Sequence, residues 1–424
     1  MAADFEVRDV ASLVEQGVLQ IGDGYRAKNI ELASDGLPFA RAGNLKDGFS
    51  FESADRVPPT TLARVGDKRS RVGDVVFTSK GTVGRFGYVD TQVEPFVFSP
   101  QLCFWRSLRT DELDPRFLFF WFHGIECREQ LTVRKGQTDM ADYVSLRDQR
   151  SMRVTFPPIA SQRAIAAVLG ALDDKIASNA RLARLARQTA KREFNRATAG
   201  ATEGPVPFVD LVDVIPGRSY KSSELMAAGA TALVTLKSIS PGGGYQPGGL
   251  KPYSGTFRPA QVVAPGEVVV AVTDLTQAAN VVGQAARVPL DPRFETLVAS
   301  LDLVVVRPRR AHWSSYLLGL LQSRPWLQQA FGYANGSTVL HLNKRAFAEF
   351  LIREPEAELV NALANLCDPL YSLADGLDSE STALTAIRDA LLPKLVSGQI
   401  RVPLSNDSAE SLGAAVEALN GAAP

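Results

Sequence analysis

Two long stretches with a heptad pattern constrain the fold of this chain more than any other feature. The first follows Pro157-Pro158, and residues 159–196 contain a single glycine, Gly170, and no proline. Two prolines suit a helix start, and the Ala, Leu, Arg and Gln that fill the stretch are strong helix formers. We predict a helix on the order of 50 Å long; the alternative at this point is a long core helix of one domain. The positions that alternate at spacings of 4 and 3, as in a coiled-coil seam, are Ile165, Leu169, Leu172, Ile176, Asn179, Ala183, Ala186 and Ala190.

The second stretch follows Pro355 and repeats the pattern. Glu380 interrupts its seam, and Pro369 predicts a kink or a break within it. Residues 158–200 hold 8 basic and 3 acidic residues, a net charge of +5, whereas residues 354–400 hold 2 and 8, a net charge of −6. The opposite charges predict that the two helices pack on each other in antiparallel orientation. The second seam consists of Leu359, Leu363, Leu366, Leu370, Leu373, Leu377, Leu384, Ile387 and Leu391.

A segment of strand-like sequence precedes each heptad stretch, and the two segments resemble each other at a period near 200 residues. Residues 265–273 repeat the turn and strand at 72–79, and residues 300–306 match residues 99–105. This arrangement predicts an α+β fold with an internal tandem repeat, in which two β-rich domains alternate with two long helices. The predicted bounds are 1–157 and 205–353 for the domains, 158–204 and 354–402 for the helices, and 403–424 for a flexible tail.

Several classes of chemistry are not supported by any motif in the sequence. The glycines at 81–87 follow Lys80 and lead into a strand, whereas a phosphate-binding loop ends in Gly-Lys-Ser/Thr and enters a helix, so we predict a hairpin turn. Neither Pro-Pro pair carries the leading Asn or Asp of a DNA methyltransferase motif, and the 3 histidines lack zinc-ligand spacing. We therefore expect no enzymatic activity, no metal and no cofactor in this chain.

The cysteines and the first residues of the chain indicate in which cellular compartment the protein is located. The 3 cysteines are too few and too scattered for a disulfide framework, and Met1-Ala2-Ala3-Asp4 does not open like a signal peptide. The apolar run 117–122 is too short to span a bilayer. We expect buried free thiols and a cytoplasmic location.

With no catalytic motif in the sequence, nucleic-acid binding remains as a possible function. Polar and basic residues cluster near predicted loops in both halves of the chain. Arg, Lys, Asn and Gln are the residue types that contact base edges and phosphates. The net charge of zero means that only local basic patches could attract DNA. The candidates are Arg41, Asn44, Lys46, Lys68, Arg69, Arg71, Lys80, Thr82, Arg85, Lys135, Gln137, Thr138, Lys237, Ser238, Lys251, Tyr253, Arg258, Thr273, Gln277, Asn280, Asn335, Ser337, Thr338 and Lys344.

Over nearly all of residues 1–402 the chain resembles the specificity subunit of a type I restriction–modification enzyme. The resemblance rests on Pro157-Pro158-Ile159-Ala160-Ser161-Gln162 with the helix after it, on Gly73-Asp74-Val75 with the glycines that follow, and on the ending Leu391–Ile400. The second copy departs from this pattern, because Pro355-Glu356-Ala357-Glu358 lacks the Pro-Pro pair and the Gln of the first.

The resemblance implies two target-recognition domains held apart by an antiparallel coiled coil. Each domain would read one half of a split site in double-stranded DNA, and the helices would fix the number of unread base pairs. The helices would also dock two methyltransferase subunits, which carry the S-adenosylmethionine chemistry, with a restriction-translocase subunit as an optional further partner. The alternatives are a scaffold or adaptor with two protein-binding units and a stand-alone enzyme with an unrecognised site.

Overall fold

The described part of the chain divides into two units in the computed structural model, which describes residues 5–46, 48–134, 142–199, 204–275, 280–336 and 339–402. Unit 1 combines the residues up to 177 with those from 382 onward, and unit 2 is the continuous segment 178–381. The predicted tail, 403–424, lies outside the described residues.

Unit 1 is built mainly from short strands. Its strands are β1 (Glu6–Asp9), β2 (Leu19–Asp23), β3 (Leu37–Ala40), β4 (Arg56–Val57), β5 (Val75–Thr78), β6 (Phe86–Tyr88), β7 (Val97–Phe98), β8 (Leu102–Ser107) and β9 (Arg153–Phe156). Its helices are α1 (Val10–Glu15), α2 (Pro59–Val65), α3 (Pro115–His123), α4 (Ile125–Arg134), α5 (Leu146–Arg150) and the first part of α6 (Ile159–Ala197).

The central sheet of unit 1 is antiparallel, in the order β2-β8-β5-β6. Every residue of β5 is buried, as its continuous Val-Val-Phe-Thr run predicts for a strand covered on both faces. The turn after β5 is the predicted hairpin turn, in which Gly81 and Gly84 have φ values of +81° and +97°. A smaller sheet has the order β4-β3-β7, and β1 pairs with β9.

Unit 2 contains the strands β10 (Val206–Pro207), β11 (Val212–Pro216), β12 (Thr231–Val234), β13 (Lys251–Pro252), β14 (Val268–Ala271), β15 (Thr273–Asp274), β16 (Ala285–Arg287), β17 (Thr296–Ala299), β18 (Leu303–Pro308), β19 (Ala334–Asn335), β20 (Leu340–Leu342) and β21 (Leu351–Ile352). Its helices are the second part of α6, α7 (Ser314–Leu321), α8 (Arg324–Gly332), α9 (Arg345–Ala348) and the first part of α10 (Ala357–Val396), whose last part belongs to unit 1.

The two units share one plan. The central sheet of unit 2 has the order β11-β18-β14-β16, its smaller sheet has the order β13-β12-β17, and both orders match those of unit 1 strand by strand. In both units the middle strand of the smaller sheet pairs antiparallel on one side and parallel on the other. The predicted α+β class with two β-rich units is confirmed, while the tandem duplication and the domain bounds stay predictions.

The two long helices pair in antiparallel orientation, as contacts within unit 2 show. Asn179 donates to Glu380 at 2.8 Å, and Arg187 donates to Asp378 at 2.6 Å, so residue numbers rise along one helix as they fall along the other. The ion pair of Arg187 fits the opposite charges of the two stretches. Glu380, which interrupts the seam in the sequence, accepts a hydrogen bond from the buried Asn179.

The first predicted seam is confirmed, because its members are buried apart from the half-buried Ile176. The second is partly wrong. Leu366 and Leu373 are 45% and 53% exposed, whereas Cys367 and Ala374, one position later, are buried. The physical reason is that α10 packs against α7 as well as α6, and the face that meets both is rotated from the heptad line. Residues of α10 share one core with the α7 residues Tyr316 and Leu317.

Two further expectations concern single residue types. Helix α10 continues through Pro369 without a break. Pro369 is exposed, and so is Asn365, whose carbonyl loses a helical partner at this proline and can bind water instead. All 3 cysteines are free and buried. None of the described helices combines the length and the apolar character that a membrane span requires.

Candidate nucleic-acid interface

Four strand ends of unit 1 meet around the turn at residues 99–101. The Ser99 backbone N–H donates to the carbonyl of Ala40 at the end of β3, and the Ser79 N–H donates to the carbonyl of Gln101, both at 2.9 Å. The strand β2 ends beside the same turn, where a Cβ on Gly24 would lie 2.0 Å from the Ser99 carbonyl oxygen. Glycine is therefore required at position 24, and the turn is fixed by backbone contacts from three sides.

A cleft of 770 Å³ opens over this turn. Three cationic side chains line it, namely Arg26, Arg41 and Lys80. Arg41 forms an exposed ion pair with Asp55 at 2.6 Å, and its guanidinium lies 5.3 Å from the centre of the Phe39 ring. Of the predicted residues, the structure thus brings Arg41 and Lys80 to one place.

A second cleft in unit 1, of 480 Å³, holds two more predicted residues, Lys46 and Arg85, together with Arg128. Arg85 donates to the carbonyl oxygen of Ala42 at 3.3 Å, which fixes its guanidinium beside the turn that carries Lys46. His123 also lines this cleft, and its burial lowers the pKa of the imidazole, so that the ring is neutral at pH 7.

The other predicted residues of unit 1 have mixed positions. Asn44 stabilises a local turn, since its side chain accepts from the Arg41 N–H and donates to the Ser50 carbonyl, both at 2.9 Å. Lys68 is bound to Asp23 at 2.9 Å. The side chains of Arg69, Arg71 and Thr82 are exposed, and Lys135, Gln137 and Thr138 lie outside the described residues.

In unit 2 the predicted residues that the structure describes lie at several places, and one sheet brings Thr273 and Asn335 to the two sides of His341. Ser238, Tyr253 and Thr273 are at most 5% exposed and therefore offer little surface to DNA. Tyr253 donates to the Thr256 carbonyl at 3.1 Å and packs inside the smaller sheet. Gln277, Ser337 and Thr338 lie outside the described residues, and the side chains that remain partly or fully accessible are Lys237, Lys251, Arg258, Asn280, Asn335 and Lys344.

Sequence reasoning missed three residues of the first cleft, namely Arg26, Gln101 and Tyr143. Arg26 and Gln101 follow the observed strands β2 and β7, and a polar residue after a strand end was the available signal. Tyr143 reaches the cleft through an antiparallel bridge to Lys80, a contact between distant segments that no local pattern encodes. In unit 2 a cleft of 690 Å³ is lined by Lys191, Gln284 and Arg324, none of which was predicted.

Comparison with known families identifies the first half of the chain. Residues 4–186 match the model of the family described as "Type I restriction modification DNA specificity domain". Residues 4–186 carry a type I restriction–modification specificity domain. Its role is DNA sequence recognition, and the scaffold alternative receives no support. No curated protein is similar enough in sequence to count as a match.

One solved structure has a similar fold over most of the chain. The S subunit of a type I restriction–modification system from M. genitalium matches with a TM-score of 0.61 and 14% identity, covering 93% of this chain and 96% of that one. At this identity the likeness shows a shared fold. A chain from a study of complex assembly and conformational transition of the type I R-M system matches with a TM-score of 0.38 and 18% identity, covering 93% of this chain and 98% of that one. The HsdS subunit from Thermoanaerobacter tengcongensis matches with a TM-score of 0.31 and 19% identity, covering 94% of this chain and 95% of that one.

Proposed function

We propose that this chain is the non-catalytic DNA-recognition subunit of a type I restriction–modification complex, in which each unit reads one half of a split target. The observation that carries the proposal is the repeated strand order, because a second unit on the plan of the first offers a second reader. The proposed location is the cytoplasm, where the DNA substrate lies. Arg41, Lys46, Lys80 and Arg85 are the proposed contact residues in the clefts of unit 1.

An exchange of one unit tests the two-reader proposal. Residues 205–353 would be replaced by the corresponding segment of a relative with a different target, and the methylated motif would be determined by methylome sequencing. We expect one half of the motif to change and the other half to stay. If both halves changed, or neither, the two units would not read DNA independently.

The proposed protein partners are two methyltransferase subunits, which bring S-adenosylmethionine, and a restriction-translocase subunit that joins them for cleavage. Exposed leucines on the long helices of unit 2 support a docking role. Leu182 and Leu185 on α6 are 48% and 42% exposed, and Leu366 and Leu373 on α10 are similarly exposed. Each precedes a buried residue of the helix interface by one position. In an antiparallel pair such positions lie on the same face, so the four leucines form one apolar stripe.

Glutamate substitutions test this stripe. The variant Leu366→Glu/Leu373→Glu should keep its helical content and lose its complex with the methyltransferase subunit in size-exclusion chromatography with light scattering. Gln188→Glu adds a charge at another exposed position of α6 and should leave the complex intact. Complex formation by the double variant would show that the methyltransferase docks elsewhere.

The helices are also proposed to set the number of unread base pairs between the half-sites. A helix gains ~1.5 Å per residue, so four residues inserted between Ala180 and Arg181 add ~6 Å, which corresponds to about one to two base pairs of duplex. Methylome sequencing should show a longer gap with both half-sites unchanged. An active variant with an unaltered number of unread base pairs would mean that the helices bind partner subunits but do not set the spacing of the half-sites.

A further inference from the structure

The cleft over residues 99–101 of unit 1 has the construction of a binding site. Ser99 is 2% exposed and forms the floor of the cleft, and its hydroxyl has no hydrogen-bond partner within the part of the chain that the structure describes. A buried polar atom without a partner costs free energy unless a ligand or a water satisfies it. Gln101 lies beside it, and its side-chain oxygen accepts from the Ala42 N–H at 3.1 Å, which leaves its amide N–H groups available.

The cations at the rim are available to a ligand. Neither Arg26 nor Lys80 forms an ion pair with any residue among those described, and both side chains are exposed. Arg41 shares its charge with Asp55, yet that pair is 44% and 49% exposed and therefore weak. The acidic residue of the lining, Asp23, is neutralised by Lys68 at 2.9 Å. The rim is therefore positive.

The equivalent place in unit 2 has the same backbone and lacks these three cations; its own Arg218 donates to the Thr256 hydroxyl at 3.4 Å. The Arg218 N–H donates to the Ala299 carbonyl at 2.7 Å, as the Tyr25 N–H donates to the Phe98 carbonyl in unit 1. Ser300 corresponds to Ser99 and is likewise buried with an unpartnered hydroxyl. These pairings give the corresponding positions: Arg26 corresponds to Ser219, Arg41 to Thr235, Lys80 to Thr273 and Gln101 to Asp302.

We propose that the unit 1 cleft binds a phosphate group of the DNA backbone and that the equivalent place in unit 2 does not. The inference rests on the proposed function, which supplies DNA as the ligand. A phosphodiester is a compact anion with acceptor oxygens, and the guanidinium and ammonium groups at the rim match it in charge and in hydrogen-bond donors. Unit 1 therefore contributes more than unit 2 to the salt-dependent part of the affinity.

The test is the salt dependence of duplex binding by the full chain. Fluorescence anisotropy with a mixed-sequence duplex gives the slope of the logarithm of the association constant against the logarithm of the salt concentration. Each neutralised phosphate contributes ~0.9 to this slope. Arg26→Ala/Lys80→Ala should reduce the slope by ~0.9 for one phosphate. Arg147→Ala/Arg150→Ala removes two exposed cations from helix α5 of the same unit and should retain the original slope.

The outcomes separate this inference from the proposed function. If the unaltered chain shows no salt-dependent duplex binding, the proposed function itself fails. If it binds and both double variants keep its slope, or lose equal amounts, only the phosphate site fails. Inorganic phosphate replacing chloride at equal ionic strength is a further arm. If phosphate bound the original chain but not Arg26→Ala/Lys80→Ala, and duplex binding by the original chain stayed unchanged, the cleft would serve a free anion, and the assignment to the DNA backbone would be wrong.

Discussion

The central sheets of the two units place the same ion pair at the same positions but in different surroundings. In unit 1 Arg106 donates to both oxygens of Asp74, at 2.6 and 2.7 Å, and Asp74 is fully buried. In unit 2 Arg307 donates to both oxygens of Glu267, at 2.5 and 3.0 Å, and the side chains are 33% and 17% exposed. The ion pair at these positions is therefore buried in unit 1 and partly exposed to water in unit 2.

The sheets also differ in how they fill their cores. In unit 1 Gly22 of β2 stands opposite Phe104 of β8, and the ring occupies the space over the glycine. In unit 2 the same cross-strand position holds Ile215 and Val305. One unit combines the smallest residue with a large ring, and the other combines two residues of middle size. The same strand order is thus compatible with two different ways of filling the space between these strands.

The largest difference between the units is expected from the ion pair. Asp74→Ala leaves the guanidinium of Arg106 buried without its carboxylate and should cost ~3–5 kcal/mol of unfolding free energy. Glu267→Ala should cost about 1 kcal/mol, because water can solvate Arg307. Hydrogen exchange measured separately on the core strands of each unit gives both values. Equal losses in the two units would contradict the role of burial.

A smaller effect should follow from exchanging the packing at Gly22. A Cβ at this position would lie 2.5 Å from the Phe104 ring, so Gly22→Ile alone should cost ~1–3 kcal/mol. Phe104→Val alone should cost a similar amount through the cavity that it leaves. The double variant reproduces the arrangement of unit 2 and should be more stable than the sum of the two losses predicts. Urea unfolding of the four proteins measures this coupling, and strictly additive losses would argue against it.

The response to acid should also separate the units, by a smaller amount. Burial lowers the pKa of His123 in unit 1, while the corresponding residue in unit 2 is Gln322. The unfolded chain therefore binds a proton more readily than the folded one. The contribution of His123 to stability is complete above the pKa of ~6.5 of an unfolded histidine and is lost as the pH falls below it.

His123→Gln should reduce the loss of unit 1 stability between neutral and mildly acidic pH and leave unit 2 unaffected. Hydrogen exchange in each unit across this pH range measures the difference. An unchanged pH dependence in the variant would show that His123 can be protonated without cost in the folded state.

The smallest expected effect concerns the clefts. Ser219→Arg places a cation in unit 2 where unit 1 has Arg26, and it should steepen the salt dependence of duplex binding by at most ~0.9. Ser219→Ala is the matched neutral control, because Ser219 is exposed. A slope that stays the same for both variants would mean that the two units present different faces to DNA.

The sequence alone determined the two long helices, because a periodic seam in a stretch with few helix-breaking residues is local information. Helix α6 begins at Ile159, directly after Pro157-Pro158, and Asp114 caps α3 as its position before Pro115 predicts. The matching order of strand-like runs likewise predicted two similar β-rich units. Patterns of this kind need no knowledge of which distant segments meet.

Only the tertiary structure decided which face of each element is covered. Leu366 lies on the predicted seam yet is exposed, because contacts with both α6 and α7 set the rotation of α10. Tyr253 looks like a loop residue in the sequence yet is buried, because the strand pairing folds its segment inward. The unit 1 cleft joins positions from 23 to 143, which long-range backbone hydrogen bonds bring together at four strand ends. Local patterns specify elements, whereas sites made of distant residues depend on the packing of those elements.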